Sequence, residues 1–585
     1  MSGRSKEILT ITTDVLVVGA GPTGLTATNI LAQAGIEAIT VSRYPGTAHT
    51  PRAHITNART MEVFRDLGIE ERIQKVGYPL ADLPFNLMTT SFAGLEIARY
   101  KSYGTPADRL SDYAQASPCG GYNVQQIVME PVLLDCAREN GADVRFNTVL
   151  VSITQSAHQV RARVLDRDKG EEYEILAQYV IAADGGNSTV ASELGFEFVG
   201  EAGLRGMANC WLEVDLAKHM SYRPGVINWV AQPGYEPWFG TASWVMVHPW
   251  REWVMVFPWN SEDPPPEAEV LKRAAISIGD ESVEVAVKGI STWQVNNVVA
   301  TEYRKGRVFL AGDAAHRHPP TGGLGTNTSI QDAFNLCWKL IAVLRGRAED
   351  GLLDSYNAER QPVGKHVVDR AIESFHNMSK LVAALGFEPD QTTEEGWDAL
   401  QELYTDTSEG VARRERLREG IALQHYRSNA LGVELGQRYV SAAVVSDGTP
   451  MPPPTRDVDL FYEPTTHPGA YMPHAWIEHK KTQISTIDVV GHGSFTLIIG
   501  IGGAAWRQAA EALNARGEVF IEVRQIGLRC EYDDVSGEWA DVREISDDGA
   551  LLVRPDRHIA WRSNGAVQDP AADLRSALNQ VLATR

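Results

Sequence analysis

With 585 residues, the chain is long enough to bury a large core and to divide into more than one domain. Its 75 acidic side chains outnumber 54 lysines and arginines, and a net charge of -21 argues against nucleic acid and anionic membrane surfaces as partners. That field suits a small neutral or weakly acidic substrate better. The five cysteines (Cys119, Cys136, Cys210, Cys337, Cys530) form no CxxC pair and no metal-ligand spacing. An odd count without a signal peptide sets the expected location in the reducing cytosol. No uncharged apolar run reaches the ~18 residues of a membrane span.

Residues 13–18 are apolar and β-branched without alternation, the pattern of a strand buried on both faces of a parallel sheet. Gly19, Gly21 and Gly24 follow in GxGxxG spacing, a helix is predicted over 23–34 with Gly35 ending it, and 36–41 reads as a second strand. In this context the motif is a phosphate cradle. Gly19 permits the turn, Gly21 lets backbone approach a pyrophosphate, and Gly24 allows close helix–strand packing. Where a ribose-binding acid is expected after the second strand, the chain has Ser42 and then Arg43. The serine is a weaker ribose partner, which Arg43 or Arg52 would offset by touching the phosphates or adenosine. Residues 57–67 suit a helix opening after Thr56 and stopping at Gly68. A second apolar run ends at Asp184-Gly185.

Between about 200 and 300, alternating apolar residues and tryptophans predict an antiparallel sheet. Its clearest strands are 244–247 and 253–259, joined through 248–251 and followed by a surface loop at 261–266. Residues 307–313 then read as a strand that ends on Gly312 and Asp313, placing a carboxylate where it can hydrogen-bond a polyol. The Pro/Gly-rich stretch behind it (Pro320, Gly322, Gly323, Leu324, Gly325, Asn327) can lay bare amides against a flat ring. A helix predicted from Thr328 to about 347 aims its positive end at the same place, favouring the negative charge of a reduced flavin. A pyrophosphate site together with a polyol site indicates FAD rather than NAD. His316 and His318 lack a third ligand at suitable spacing, so no metal is expected. Polar helices run to about 425, and 448–454 is a linker. The remaining 455–585 is long enough to fold separately. Within it, 495–505 repeats a strand–glycine–helix pattern in GxGxxA form with Glu522 beyond, which on its own reads as an NAD(P)H site.

The stretches Pro51–Glu62, Ala183–Gly185, His316–Leu336 and Gly549–Asp556 resemble the single-component flavoprotein aromatic hydroxylases, in their phenol-hydroxylase branch, over nearly the full length. The resemblance implies an α/β and α+β architecture. A Rossmann-type FAD-binding domain (1–84, 116–199, 301–385) is interleaved with an antiparallel-sheet substrate domain (85–115, 200–300). A helical region with the linker (386–454) and a thioredoxin-like C-terminal domain (455–585) complete it. In that setting the 495–505 segment belongs to a thioredoxin-like fold without redox cysteines and serves packing and subunit contacts.

The resemblance also implies the chemistry. NADH or NADPH reduces FAD, O2 adds at the flavin C4a atom, and the hydroperoxide hydroxylates a phenol, chlorinated or otherwise substituted, ortho to its hydroxyl. The assembly is a homodimer or homotetramer. His54 is the candidate base, kept neutral by the helix N-terminus just beyond it. Gln126 joins the cofactor contacts. Trp229, Trp293, Trp250 and Trp253 are candidate walls of the ring pocket. His248 stands where close relatives carry an arginine and is a candidate at the substrate. Tailoring of a larger aromatic natural product, such as a polyketide, is the alternative enzyme reading. A flavin- or aromatic-binding regulator without turnover is the reading from another class, against which stand the glycine loop and His54.

Overall fold

The computed structural model describes residues 9–235, 240–388, 390–517 and 520–584. The strand Leu9–Val18 lies at the centre of a mostly parallel sheet, with Val15, Leu16 and Val17 wholly buried. It pairs in parallel with Ala38–Val41 on one side and Glu171–Ala182 on the other, and Val308–Leu310 continues the sheet beyond Glu171–Ala182. Val18 is in register with both Val41 and Ala182, so these strands end together. Their carboxyl ends therefore bring Gly19, Ser42, Ala183 and, one strand further, Asp313 to a common rim, the usual ligand position in such sheets.

The helices Pro22–Gln33 and Gly325–Leu344 pack against one another over this sheet. The second begins three residues earlier than its sequence pattern suggested. Asn327, which the sequence pattern leaves as the last loop residue, lies inside this helix, and its side-chain amide donates back to the Gly323 carbonyl at 2.6 Å.

A second eight-stranded sheet is built on two long antiparallel strands, Phe198–Val214 and Val285–Ala300. Glu252–Pro258, Ala242–His248 and Gly225–Val230 follow in order, and Phe85–Thr89 and Glu96–Lys101 complete that edge. Strand parity divides its side chains between two faces. Trp244, Met246, Trp253, Met255 and Phe257 turn into a core covered by the helix Glu267–Ile278. Ser243, Val245, Val254 and Val256 turn the opposite way, onto a cavity.

A three-stranded patch joins Ile55–Thr56, Tyr122–Asn123 and Tyr78–Pro79, with Ile55 opposite Asn123. It is small, but it fixes the position of His54.

The C-terminal part has its own seven-stranded sheet. Phe495–Ile499 pairs in parallel with Ile521–Gly527 and antiparallel with Ala550–Val553, so the Rossmann pattern stops after one βαβ unit. Its glycine loop is not an open phosphate cradle. The Gly502 amide donates to the Asp547 carbonyl at 2.8 Å, and a Cβ at Gly500 would meet that same oxygen at 2.5 Å. Glu522 is paired with Arg524. Among the described residues, no helix is long and apolar enough to cross a membrane.

Candidate active site

One cavity of about 1130 Å³ runs from the rim of the parallel sheet to the second sheet. At the first end, Gly21 caps the helix Pro22–Gln33 without a side-chain partner, which leaves the leading amides of that helix for a ligand. Glycine is required at two places here. A Cβ on Gly19, whose φ is +111°, would lie 2.1 Å from the Ala183 carbonyl oxygen, and one on Gly24 would lie 1.9 Å from that of Gly19. Gly24 thus supports the turn without lining the cavity.

Ser42, Arg43, Arg52 and Gln126 line this end, as does Glu130, an acid that the motif reading missed. Gln126 donates to Glu130 at 2.6 Å, and burial raises the Glu130 carboxyl above its usual range. This carboxylate stands near the cradle although none follows the second strand. It sits on a helix with no glycine signature, so nothing local in the sequence marks it.

Midway, Asp184, Gly185, Asp313, Pro320, Gly323 and Gly325 line the cavity. Asp184 accepts the Val190 amide at 3.2 Å through one oxygen, and the other has no partner. Asp313 is open to the cavity, and enclosure by the surrounding protein raises its carboxyl, opposed by the charges of His316, Arg317 and Arg52.

Four expected cofactor contacts fall behind this lining. Gly312 is buried and gives its amide to Asp332 at 3.0 Å. Gly322 turns toward the Arg427 backbone, and Leu324 packs in a small core with Val367, Ala430 and Val433. The Asn327 side chain is saturated by the Asn57 amide and the Ile55 and Gly323 carbonyls. These residues shape the loop from outside. His316 is likewise committed, to Asp332 at 2.8 Å, and His318 Nδ1 to its neighbour's carbonyl at 2.7 Å. No metal-ligand cluster of three occurs among the described residues.

The far end carries the cavity's two tryptophans among valines and uncharged polar side chains. Trp229 and Trp293 line it, the latter donating its indole N–H to Asn209 at 2.8 Å. Trp253 is wholly buried on the opposite face of its strand and stacks on Trp250 at 6.2 Å. Neither lines the cavity, which corrects the expectation for both. His248 is exposed at the turn between strands, edge-on to Tyr78 at 5.7 Å, and does not reach the cavity either.

His54 stands where the two ends meet. Its Nδ1 is 2.9 Å from Asn123 Oδ1, while the Asn123 amide nitrogen faces the Met246 carbonyl at 3.3 Å. That arrangement makes the asparagine oxygen the acceptor and puts the imidazole proton on Nδ1, leaving Nε2 as the acceptor available to the cavity. Burial pulls the imidazole down to about 4 despite the Asn123 bond, and the Arg427 charge pushes the same way. The neutral state was expected from a helix N-terminus. Desolvation is the stronger cause, since that helix end is already capped by Asn57, whose side chain accepts the Thr60 amide at 3.0 Å.

The FAD binding domain family matches residues 12–371, and the aromatic-ring hydroxylase C-terminal family matches 465–584. The chain belongs to the FAD-dependent aromatic-ring hydroxylases. It is 44% identical to 2,4-dichlorophenol 6-monooxygenase of Cupriavidus pinatubonensis over 98% of this chain and 97% of that protein. It is 38% identical to phenol 2-monooxygenase of a Pseudomonas species, over 98% and 93%. The crystal structure of the flavin-dependent monooxygenase PieE with FAD and substrate superposes with a TM-score of 0.94 at 42% identity, over 98% of this chain and 100% of that one. The residues present fit the family's cofactor. The glycine cradle, the uncapped helix and the cavity-facing Asp313 stand in the order that a dinucleotide with a polyol requires.

Proposed function

We propose that the protein uses FAD, NADH or NADPH, and O2 to hydroxylate a phenol, chlorinated or otherwise substituted, ortho to its hydroxyl. The observation that carries this reading is His54: a neutral imidazole with one nitrogen tied to Asn123 and the other facing the ring end of the flavin cavity. FAD, when bound, would carry the two electrons from NADH or NADPH and supply the oxygen activation. Gly19 and Gly21 would hold its pyrophosphate, with Ser42, Arg43, Arg52 and Gln126 at the adenosine side. Asp313, Asp184 and Gly185 would hold the polyol region, and Pro320, Gly323 and Gly325 would face the ring.

Trp229 and Trp293 wall the ring end of the cavity and exclude water there. His54 Nε2 takes the phenolic proton: the O–H bond breaks, an N–H bond forms, and the oxygen keeps the electron pair. That pair enriches the ortho carbon, the position that must accept oxygen.

The phenol-named relatives above share more of their residues with this chain than proteins named as polyketide hydroxylases do, which favours a single-ring substrate. The domain bounds given from the sequence serve as the working division. The βαβ unit followed by two antiparallel strands and a helix supports a thioredoxin-like reading of 455–585. Assembly as a homodimer or homotetramer in the cytosol completes the proposal.

Supplying the FAD-loaded protein with NADH or NADPH and a panel of phenols tests it. Oxygen uptake should match catechol formation. Reduced coenzyme consumed only to peroxide, whichever phenol is present, would refute it.

A further inference from the structure

At the ring end of the cavity stands a cation that the proposed mechanism leaves unused. Arg427 closes the long helix Ser408–Ser428 and is 5% exposed. Nine arginines are buried among the described residues, and the other eight each hold a carboxylate within 3.5 Å. Arg427 holds none, and its Nε has no hydrogen-bond partner. A buried, unpaired guanidinium costs several kcal/mol of desolvation, so its retention needs a reason.

The surroundings supply one. The guanidinium carbon lies 4.4 Å over the Trp229 ring, which stacks on Tyr100 at 6.3 Å. These flat surfaces hold the fork in place without neutralising it. The cofactor loop packs closely on its backbone, since a Cβ on Gly322 would meet the Arg427 carbonyl oxygen at 2.7 Å. The groups facing it are His54 from the strand patch and Tyr100 and Tyr103 from the neighbouring sheet edge. None is acidic, and burial pushes the Tyr100 hydroxyl up to about 12, so it stays neutral. The side chain lines the cavity on which His54 also opens.

We infer that Arg427 is the anchor for the substrate's anionic oxygen, pairing with the phenolate that forms as the proton leaves for His54. The inference rests on the phenol reading above. It also resolves a difficulty in that reading. An imidazole held near 4 is too weak a base to keep a phenol's proton by itself. With the oxyanion paired to Arg427, His54 only passes the proton on toward solvent. The site then holds a neutral guanidinium–phenolate pair where a lone cation stood.

The test uses the FAD-loaded protein and three probes that share one ring: 4-nitrophenol, 4-nitroanisole and 4-nitrobenzoate. Wild-type protein should bind 4-nitrophenol on the order of tenfold or more tightly than its methyl ether. The bound nitrophenol should show the phenolate band at a pH at least about one unit below that of free nitrophenol. R427Q should lose both effects, and R427K should keep most of the affinity ratio. Where R427Q fails to retain FAD, the wild-type ratio and R427K decide.

Equal binding of nitrophenol and nitroanisole by the wild type, or a ratio unchanged in R427Q, overturns the inference. Preference for nitrobenzoate over nitrophenol overturns it too, by making the partner a carboxylate. Because the readout is binding, the two proposals fail separately. Catechol formation with an R427Q ratio like wild type removes Arg427 alone, whereas absence of phenol oxidation removes the function proposed above.

Discussion

Two regions of this molecule take titratable side chains out of water, to opposite effect. Where the helices Gly325–Leu344 and Asp354–Ala383 meet the C-terminal part, Lys339, Glu359, Arg554 and Asp556 are wholly or almost wholly hidden and fully partnered. Glu359 lies 2.7 Å from Lys339 and 2.6 Å from Arg554, and Asn335 donates to Asp556 at 3.0 Å. Burial alone raises the Glu359 carboxyl, but the Arg554 and Lys339 charges overcome it and hold the group below its usual range. A neighbouring cluster carries the same logic to the cofactor loop, where Asp332 accepts Arg360, His316 and the Gly312 amide. At the ring end of the cavity, by contrast, Arg427 and His54 are desolvated with no carboxylate beside them. Paired burial of charge is framework that locks three segments together. Unpaired burial marks the place where a ligand must supply what is missing.

Removing one partner from the junction is the severest way to break this contrast. Glu359→Ala strands Lys339 and Arg554 in the interior and should cost about 3–5 kcal/mol, read as a drop in the urea midpoint. A midpoint near that of wild type would mean that the network is not a structural lock. At the other region, His54→Ala should leave FAD content intact and slow hydroxylation by about a hundredfold or more, measured in single turnovers. Unchanged turnover removes His54 from the mechanism.

The smallest effect expected is none at all. Because burial lowers the His54 imidazole to about 4, the group is already neutral above that value. Lowering the pH from 8 to 5 should therefore not protonate it. Hydroxylation should show no loss centred near 6.5, the ordinary histidine value. A fall through that point would show that His54 is solvated.

Much of the cofactor half was legible because its signals are local. A buried strand, three glycines and a helix occupy one continuous stretch, and Asp313 lies in a short 3-10 turn just beyond the strand Val308–Leu310 rather than within it. The ring half was less so. Trp253 and Val254 are adjacent, yet period-two alternation sends the tryptophan to the core and the valine to the cavity. Large aromatic character alone pointed the wrong way, and counting parity from Val256 would have corrected it. Asn327 was read as a ring contact because its motif is dense, whereas its side chain is used up in holding the loops of Ile55 and Gly323. Arg427 and Asn123 carry no motif. They reach His54 from 373 and 69 residues away along the chain, respectively, and only the tertiary fold reveals that one is an unpaired cation and the other an orienting acceptor.

The most direct test of the central claim is a crystal structure of the FAD-loaded protein with 4-nitrophenol bound. The account expects the flavin along the Gly19-to-Gly325 lining and the phenol oxygen within hydrogen-bond reach of both His54 Nε2 and the Arg427 guanidinium. A phenol lodged elsewhere, or one whose oxygen turns away from both groups while Arg427 finds a protein carboxylate, would contradict it.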